Sequence, residues 1–178
     1  MTKASIQLRR LVCSALCLAL ALVLPLLTGQ IPQVGSMVCP MHIPVFLCGF
    51  ICGWPWGLAV GFVAPLLRFA VFSMPPMPMC IPMAFELAAY GGAAGALYRL
   101  LPNRTVSIYG ALITAMAVGR LCWGGASFVL AGLQSTEFSF AAFLTAAFAE
   151  TLPGIVLHLI LVPLVVMALK KANLMWND

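Results

Sequence analysis

Four ionisable side chains, Arg68, Glu86, Arg120 and Glu150, lie inside apolar runs long enough to cross a bilayer. Two are cationic and two anionic, and the chemistry open to such a set is recognition of a polar solute by ion pairing and hydrogen bonding. A charge at membrane depth is costly unless it faces protein or water and finds a partner, so the set outlines a polar site within the membrane. Catalysis finds no matching constellation. The chain has no H-E-x-x-H, no G-x-S-x-G elbow, no glycine-rich phosphate loop with lysine, and no aspartate in an apolar run. An enzyme is not expected, ATP hydrolysis by this chain alone is excluded, and neither a cofactor nor a metal site is expected.

The elements that must position these charges are apolar helices. The chain is 63% hydrophobic and only 7% charged, with a mean hydropathy of +1.11, whereas a soluble domain carries about 25% charged residues. An integral membrane protein follows. Its 178 residues leave room for roughly six helical spans of about 20 residues each and no soluble domain. Breaks in the apolar pattern place the spans at about 8 to 27, 42 to 53, 57 to 72, 81 to 101, 105 to 131 and 139 to 170. The fold expected is an all-α integral membrane protein, a six-transmembrane-helix bundle over residues 1–178. The second span is too short for a comfortable crossing and must tilt or begin as irregular chain buried in protein. The first resembles a signal peptide, but its apolar stretch continues without a cleavage site, so it is read as a retained span.

Lys3, Arg9 and Arg10, then Arg99 and Arg104, then Lys170 and Lys171 all fall on one side of such a bundle. The opposite loops have no lysine or arginine, which puts both termini in the cytoplasm. The basic residues thus have a topological role, and a nucleic-acid partner is discounted. Counting residues from the expected outer helix ends puts Arg68 and Glu86 ~6 to 8 Å deep and Arg120 and Glu150 ~16 Å deep. Each pair is within mutual reach, Arg68 with Glu86 and Arg120 with Glu150. Spans 3 to 6 would converge on a pocket reached from outside. The alternative is a pair of ion bridges that lock the helices without touching a ligand.

Two long external segments border that pocket. Thr28 to Pro44 offers Gln30 and His42 among apolar residues such as Met37, as a lid over a cavity would, although a plain loop has the same composition. Ser73 to Pro82 is rich in proline and methionine. Met74, Met77, Met79 and Cys80 suit packing against an apolar ligand face more than Cu(I) uptake. Tyr90 lies one turn after Glu86 and Trp123 one turn after Arg120, either of them able to form an aromatic wall. His158 reads as a core histidine. The seven cysteines read as small core residues; Cys39 and Cys80 both fall in expected external loops, which leaves a bridge between them open. Small residues recur at four-residue spacing, including Ala15 and Ala19, the ladder Gly49, Gly53, Gly57 and Gly61, and Gly91 with Gly95. They permit close helix approach, within the chain or to another subunit.

The A-L-C-L-A run at Ala15 to Ala19, the M-H-I-P lead into the second span, the glycine-rich passage into the third and M-A-F-E-L-A-A-Y-G at Met83 to Gly91 resemble the substrate-binding S component of an energy-coupling factor (ECF) transporter. That resemblance implies capture of a vitamin or related micronutrient at the outer half of a bundle in the bacterial cell membrane. It also implies partners: surrounding lipid, a transmembrane coupling subunit and two cytoplasmic ATPases, with Ala15 and Ala19 as the contact to the coupling subunit. Delivery by toppling of the whole bundle is implied by the family alone. Gln30, Met37, His42, Arg68, Glu86, Tyr90, Arg120, Trp123 and Glu150 are the candidate substrate contacts. Pantothenate is preferred, its carboxylate meeting Arg120 or Arg68 and its hydroxyls and amide meeting Glu150 and Gln30. A flavin, a pyridoxine-like ring or a deazapurine fits nearly as well. A stand-alone channel and a membrane enzyme or scaffold are the competing classes.

Overall fold

The computed structural model describes residues 3–27, 38–102, 104–133, 145, 151–172 and 174–175. Its main elements are six helices: α1 (Lys3–Leu27), α2 (His42–Cys52), α3 (Trp54–Phe72), α4 (Met77–Leu100), α5 (Thr105–Leu133) and α6 (Leu152–Lys171). All but α2 are long and apolar enough to cross a membrane. The described residues are all-helical, as expected, and each helix overlaps an expected span, although the first part of the sixth, from about 139, lies almost wholly outside the described residues. At ~16 Å, α2 covers about half of a bilayer core. It is apolar on every side after His42, and nine of its residues are buried, as befits a helix wrapped by others. It packs against α1, α3, α4 and α6. Leucine, valine and isoleucine side chains on α1, α5 and α6 face outward instead, the surface a lipid environment favours.

Close approach around α2 depends on glycine. A Cβ on Gly49, Gly57, Gly61, Gly91 or Gly95 would overlap the backbone of a neighbouring helix: Gly49 meets the Gly91 carbonyl, Gly61 the Leu87 carbonyl and Gly95 the Trp54 amide. The small-residue spacing therefore serves contacts within this chain. Gly53 joins α2 to α3 at φ 98°, a backbone conformation that only glycine adopts without strain.

Three expectations are corrected here. The fourth helix begins at Met77, directly after Pro76, with Pro78 in its first turn and Pro82 inside it. Proline costs a helix nothing at its first turn because the N–H it lacks has no partner there, so the proline-rich segment enters the helix. Glu86 therefore lies ~13 Å from the helix start, well below the expected ~6 to 8 Å. Arg68 does not pair with it. Arg68 is buried in α3, where its Nη1 donates to the Leu22 carbonyl of α1 at 2.9 Å and its guanidinium stands 5.4 Å from the Phe72 ring centroid. This cation ties α1 to α3. Cys39 and Cys80 are not joined by a disulfide, and Cys80 donates to the Pro65 carbonyl at 3.4 Å.

Gly91→Ala is expected to lose about 1 to 3 kcal/mol through overpacking. Gly110→Ala, where a Cβ meets nothing within 4 Å, is expected to be neutral or to gain up to about 1 kcal/mol. Unfolding of the two variants in detergent compares them directly, and equal effects would contradict the packing described.

Candidate functional site

A buried ion pair joins α4 to α5. Arg120 Nη1 stands 2.8 Å from Glu86 Oε1, with only 4% of the glutamate side chain exposed. The Tyr90 hydroxyl donates to the same oxygen at 2.6 Å, one turn along α4 where a side chain at i+4 reaches back. Gly119 makes room for this arrangement, because a Cβ there would strike the Tyr90 ring. The residue before Arg120 thus seats the ring that holds its counter-ion.

A narrow crevice with room for about one water lies beside this triad. Its wall is built by α2, α4, α5 and α6, with Cys39 at the lead into α2. Helix α3, expected to contribute, does not line it. On α2, His42 and Phe46 share a face by their i, i+4 spacing. Phe46 stacks on Tyr90 with centroids 4.8 Å apart and planes at 29°, while the His42 ring lies 5.3 Å from Tyr90 and 5.8 Å from His158. Met116, Thr151, Gly154 and Ile155 complete the lining.

Both histidines are buried. Nδ1 of His158 bonds to the Gly154 carbonyl, and the Cys39 backbone lies close to both histidine rings, yet neither Nε2 of His158 nor either ring nitrogen of His42 makes a well-aligned hydrogen bond among the described residues. Leaving polar atoms unpaired at this depth costs several kcal/mol in hydrocarbon surroundings. Three such atoms on one wall make it the candidate contact surface for a polar solute. Cys39 adopts a left-handed backbone, φ 47°, and its carbonyl accepts from the His42 amide at 3.0 Å. Burial, then the Glu86 carboxylate, pushes its thiol up to about 12. It stays protonated at neutral pH and offers no thiolate. Among the described residues no group of three or more His, Cys, Asp or Glu side chains is placed to hold a metal ion.

A family model described as the substrate-specific component of ECF transporters matches residues 9–166. The chain belongs to this ECF transporter family. No curated protein and no solved structure matches it. As a substrate-specific component with several membrane-capable helices, it is a multi-pass protein of the cell membrane. Its family is one of transporters that bind small molecules and work with an energy-coupling module.

In this ECF component the candidate residues separate clearly. His42, Tyr90 and Arg120 come together on the crevice wall, and Glu86 stands behind them as the shared acceptor. Arg68 is engaged with α1, and Trp123 on α5 does not line the crevice. Gln30, Met37 and Glu150 lie outside the described residues. Arg120 meets Glu86, which the earlier start of α4 brings to its depth; Glu150, its expected partner, lies outside the described residues. Ala15 and Ala19 are exposed on α1. Sequence reasoning passed over His158, Phe46, Met116 and the Gly154 turn. His158 was findable: it is one of only two histidines, and an ionisable residue within a membrane span is a site candidate whatever its type.

Glu86→Gln keeps the side-chain shape but strips Arg120 of its counter-ion, and is expected to destabilise the protein by about 3 to 5 kcal/mol. Adding Arg120→Gln is expected to restore at least half of that loss. Thermal unfolding of the single and double variants checks this, and additive losses would contradict a coupled pair.

Proposed function

We propose that this protein is the membrane-embedded capture subunit of an ECF-type importer, taking a vitamin or related micronutrient from outside the cell and handing it on through an ATP-driven coupling module. The observation that supports this most is the crevice itself. A structural ion pair alone would need no neighbouring wall bearing three ring nitrogens without a well-aligned partner among the described residues, whereas a binding site needs such a wall to select its ligand. Family membership supplies the transport context.

The side of the membrane follows from charge. Lys3, Arg9, Arg10, Arg99, Arg104, Lys170 and Lys171 gather at the end of the bundle away from the start of α2 and α6, and lysine and arginine favour the cytoplasmic side. The crevice, between the first residues of α2 and α6 and the middle of α4 and α5, then opens outward. His42, Tyr90 and Arg120 are its contacts, with Glu86 fixing Arg120. The handover is assigned to α1, whose exposed Ala15 and Ala19 leave a shallow surface for a coupling subunit's helix.

Gentle purification followed by mass spectrometry tests capture. A small molecule released at close to one per protein, together with copurifying coupling and nucleotide-binding chains, is expected. Protein free of any small molecule and of ATPase partners would overturn the reading in favour of a channel or scaffold. Separately, Ala15→Trp or Ala19→Trp is expected to reduce cellular uptake at least tenfold with ligand binding unchanged, and normal uptake would remove α1 as the contact face.

A further inference from the structure

Four of the seven cysteines meet between α1 and α2, on a different face of α2 from His42 and Phe46. Cys13 and Cys17 stand four residues apart on α1, as Cys48 and Cys52 do on α2, so each pair shares one helix face. Cys13 is within hydrogen-bonding reach of Cys17 and Cys52, and Cys48 of Cys17 and Cys52. The four thiols close a ring. Its contacts across the helices, Cys13 with Cys52 and Cys17 with Cys48, follow an antiparallel register, one number rising by four as the other falls by four. Cys17, Cys48 and Cys52 are buried and Cys13 is half-buried. Ser14 joins the cluster, accepting from the Cys48 thiol at 3.6 Å and donating to the Arg10 carbonyl at 2.7 Å.

Alanine or valine would fill these positions as small apolar residues, but four thiols facing one another add a chemistry of their own. They are not placed to surround a metal ion, so the reaction open to them is with one another. Geometry selects the partners. Residues four apart on one helix have Cβ atoms about 5 to 6 Å apart, whereas a disulfide needs them at about 3.5 to 4.5 Å. The pairs within α1 and within α2 are therefore poor bridges, and the pairs across the two helices are the ones to form. Access selects the oxidant. Cys13 is the entry to the ring, and Leu8, Val12 and Leu16 around it on α1 are exposed, the surface that faces lipid. An oxidant arriving there must dissolve in the bilayer.

We propose that Cys13, Cys17, Cys48 and Cys52 form a redox site at which a lipid-soluble quinone joins α1 to α2 through the disulfides Cys13–Cys52 and Cys17–Cys48. For each bridge, one sulfur adds to the quinone ring and its proton passes to a quinone oxygen. The partner thiol then attacks that sulfur: the S–S bond forms, the S–C bond breaks, and the electron pair leaves on the ring, which takes the second proton. Two thiols and one quinone give one disulfide and one quinol. The bridges fix α1 against the centre of the bundle, and with it the face that carries Ala15 and Ala19.

The test exposes the full-length protein in lipid nanodiscs to duroquinone, whose ring is fully substituted and does not keep sulfur as an aryl thioether. Alkylation with N-ethylmaleimide after unfolding, then digestion and mass spectrometry, maps the thiols. Peptides linked through Cys13 and Cys52 and through Cys17 and Cys48 are expected, lighter by the two hydrogens of each bridge and separated again by dithiothreitol. Cys122, exposed on α5 and outside the ring, is expected to remain a thiol. The oxidised protein is expected to melt higher by about 5 °C or more, a shift lost when Cys13→Ala and Cys17→Ala are combined. Full alkylation of all four thiols after quinone treatment would overturn the proposal. So would bridges confined to one helix, or oxidation of Cys122 to the same extent.

Discussion

The ion pair between Arg120 and Glu86 is the constraint around which the rest of this membrane protein is arranged. An arginine and a glutamate within apolar helices are tolerable only if they meet, and their meeting fixes the register of α5 against α4. Tyr90 adds a second hydrogen bond to the same carboxylate oxygen, and Gly119 supplies the space its ring requires. Replacing such a pair by apolar residues often costs nothing in stability. Its position beside a crevice is what gives it a role beyond packing: it holds an arginine at the wall with its charge already balanced.

That pair needs α4 to lie close to α2 and α3, and the glycines make this possible. Gly91 and Gly95 present bare backbone to Gly49 and Gly57, so three helices pack at a separation no side chain would permit. The short, apolar α2 can then sit at the centre of the bundle and turn His42 and Phe46 toward Tyr90. Arg68 serves a different end, holding α1 to α3 from the other side. The two arginines thus have unlike roles, the buried Arg68 tying helices together and the half-buried Arg120 facing a cavity.

Much of the fold was legible in the sequence, because apolar run length and the glycine ladder follow directly from the needs of a chain in lipid. The membrane class, the helix positions and the shortness of α2 were read from those features. The pairing of charges was not. Depth was counted from helix ends, and the prolines from Pro75 to Pro82 look like loop until one considers that a first helical turn has no use for their missing N–H groups. That shift of about four residues exchanged Arg68 for Arg120 as the partner of Glu86. His42, Tyr90 and Arg120 were legible as site residues, whereas His158 was set aside as core. Its significance comes from an unpartnered Nε2 facing a cavity shared with His42, a relation across helices that no local pattern contains.

The central claim is that the crevice beside the Arg120 and Glu86 pair is where the small molecule sits. A structure of the protein purified with its retained ligand tests it most directly. The account predicts ligand density bounded by His42, His158, Phe46 and Arg120, with the Arg120 to Glu86 contact intact. Density elsewhere in the bundle, or a ligand-saturated protein whose crevice is closed by side chains, would contradict it.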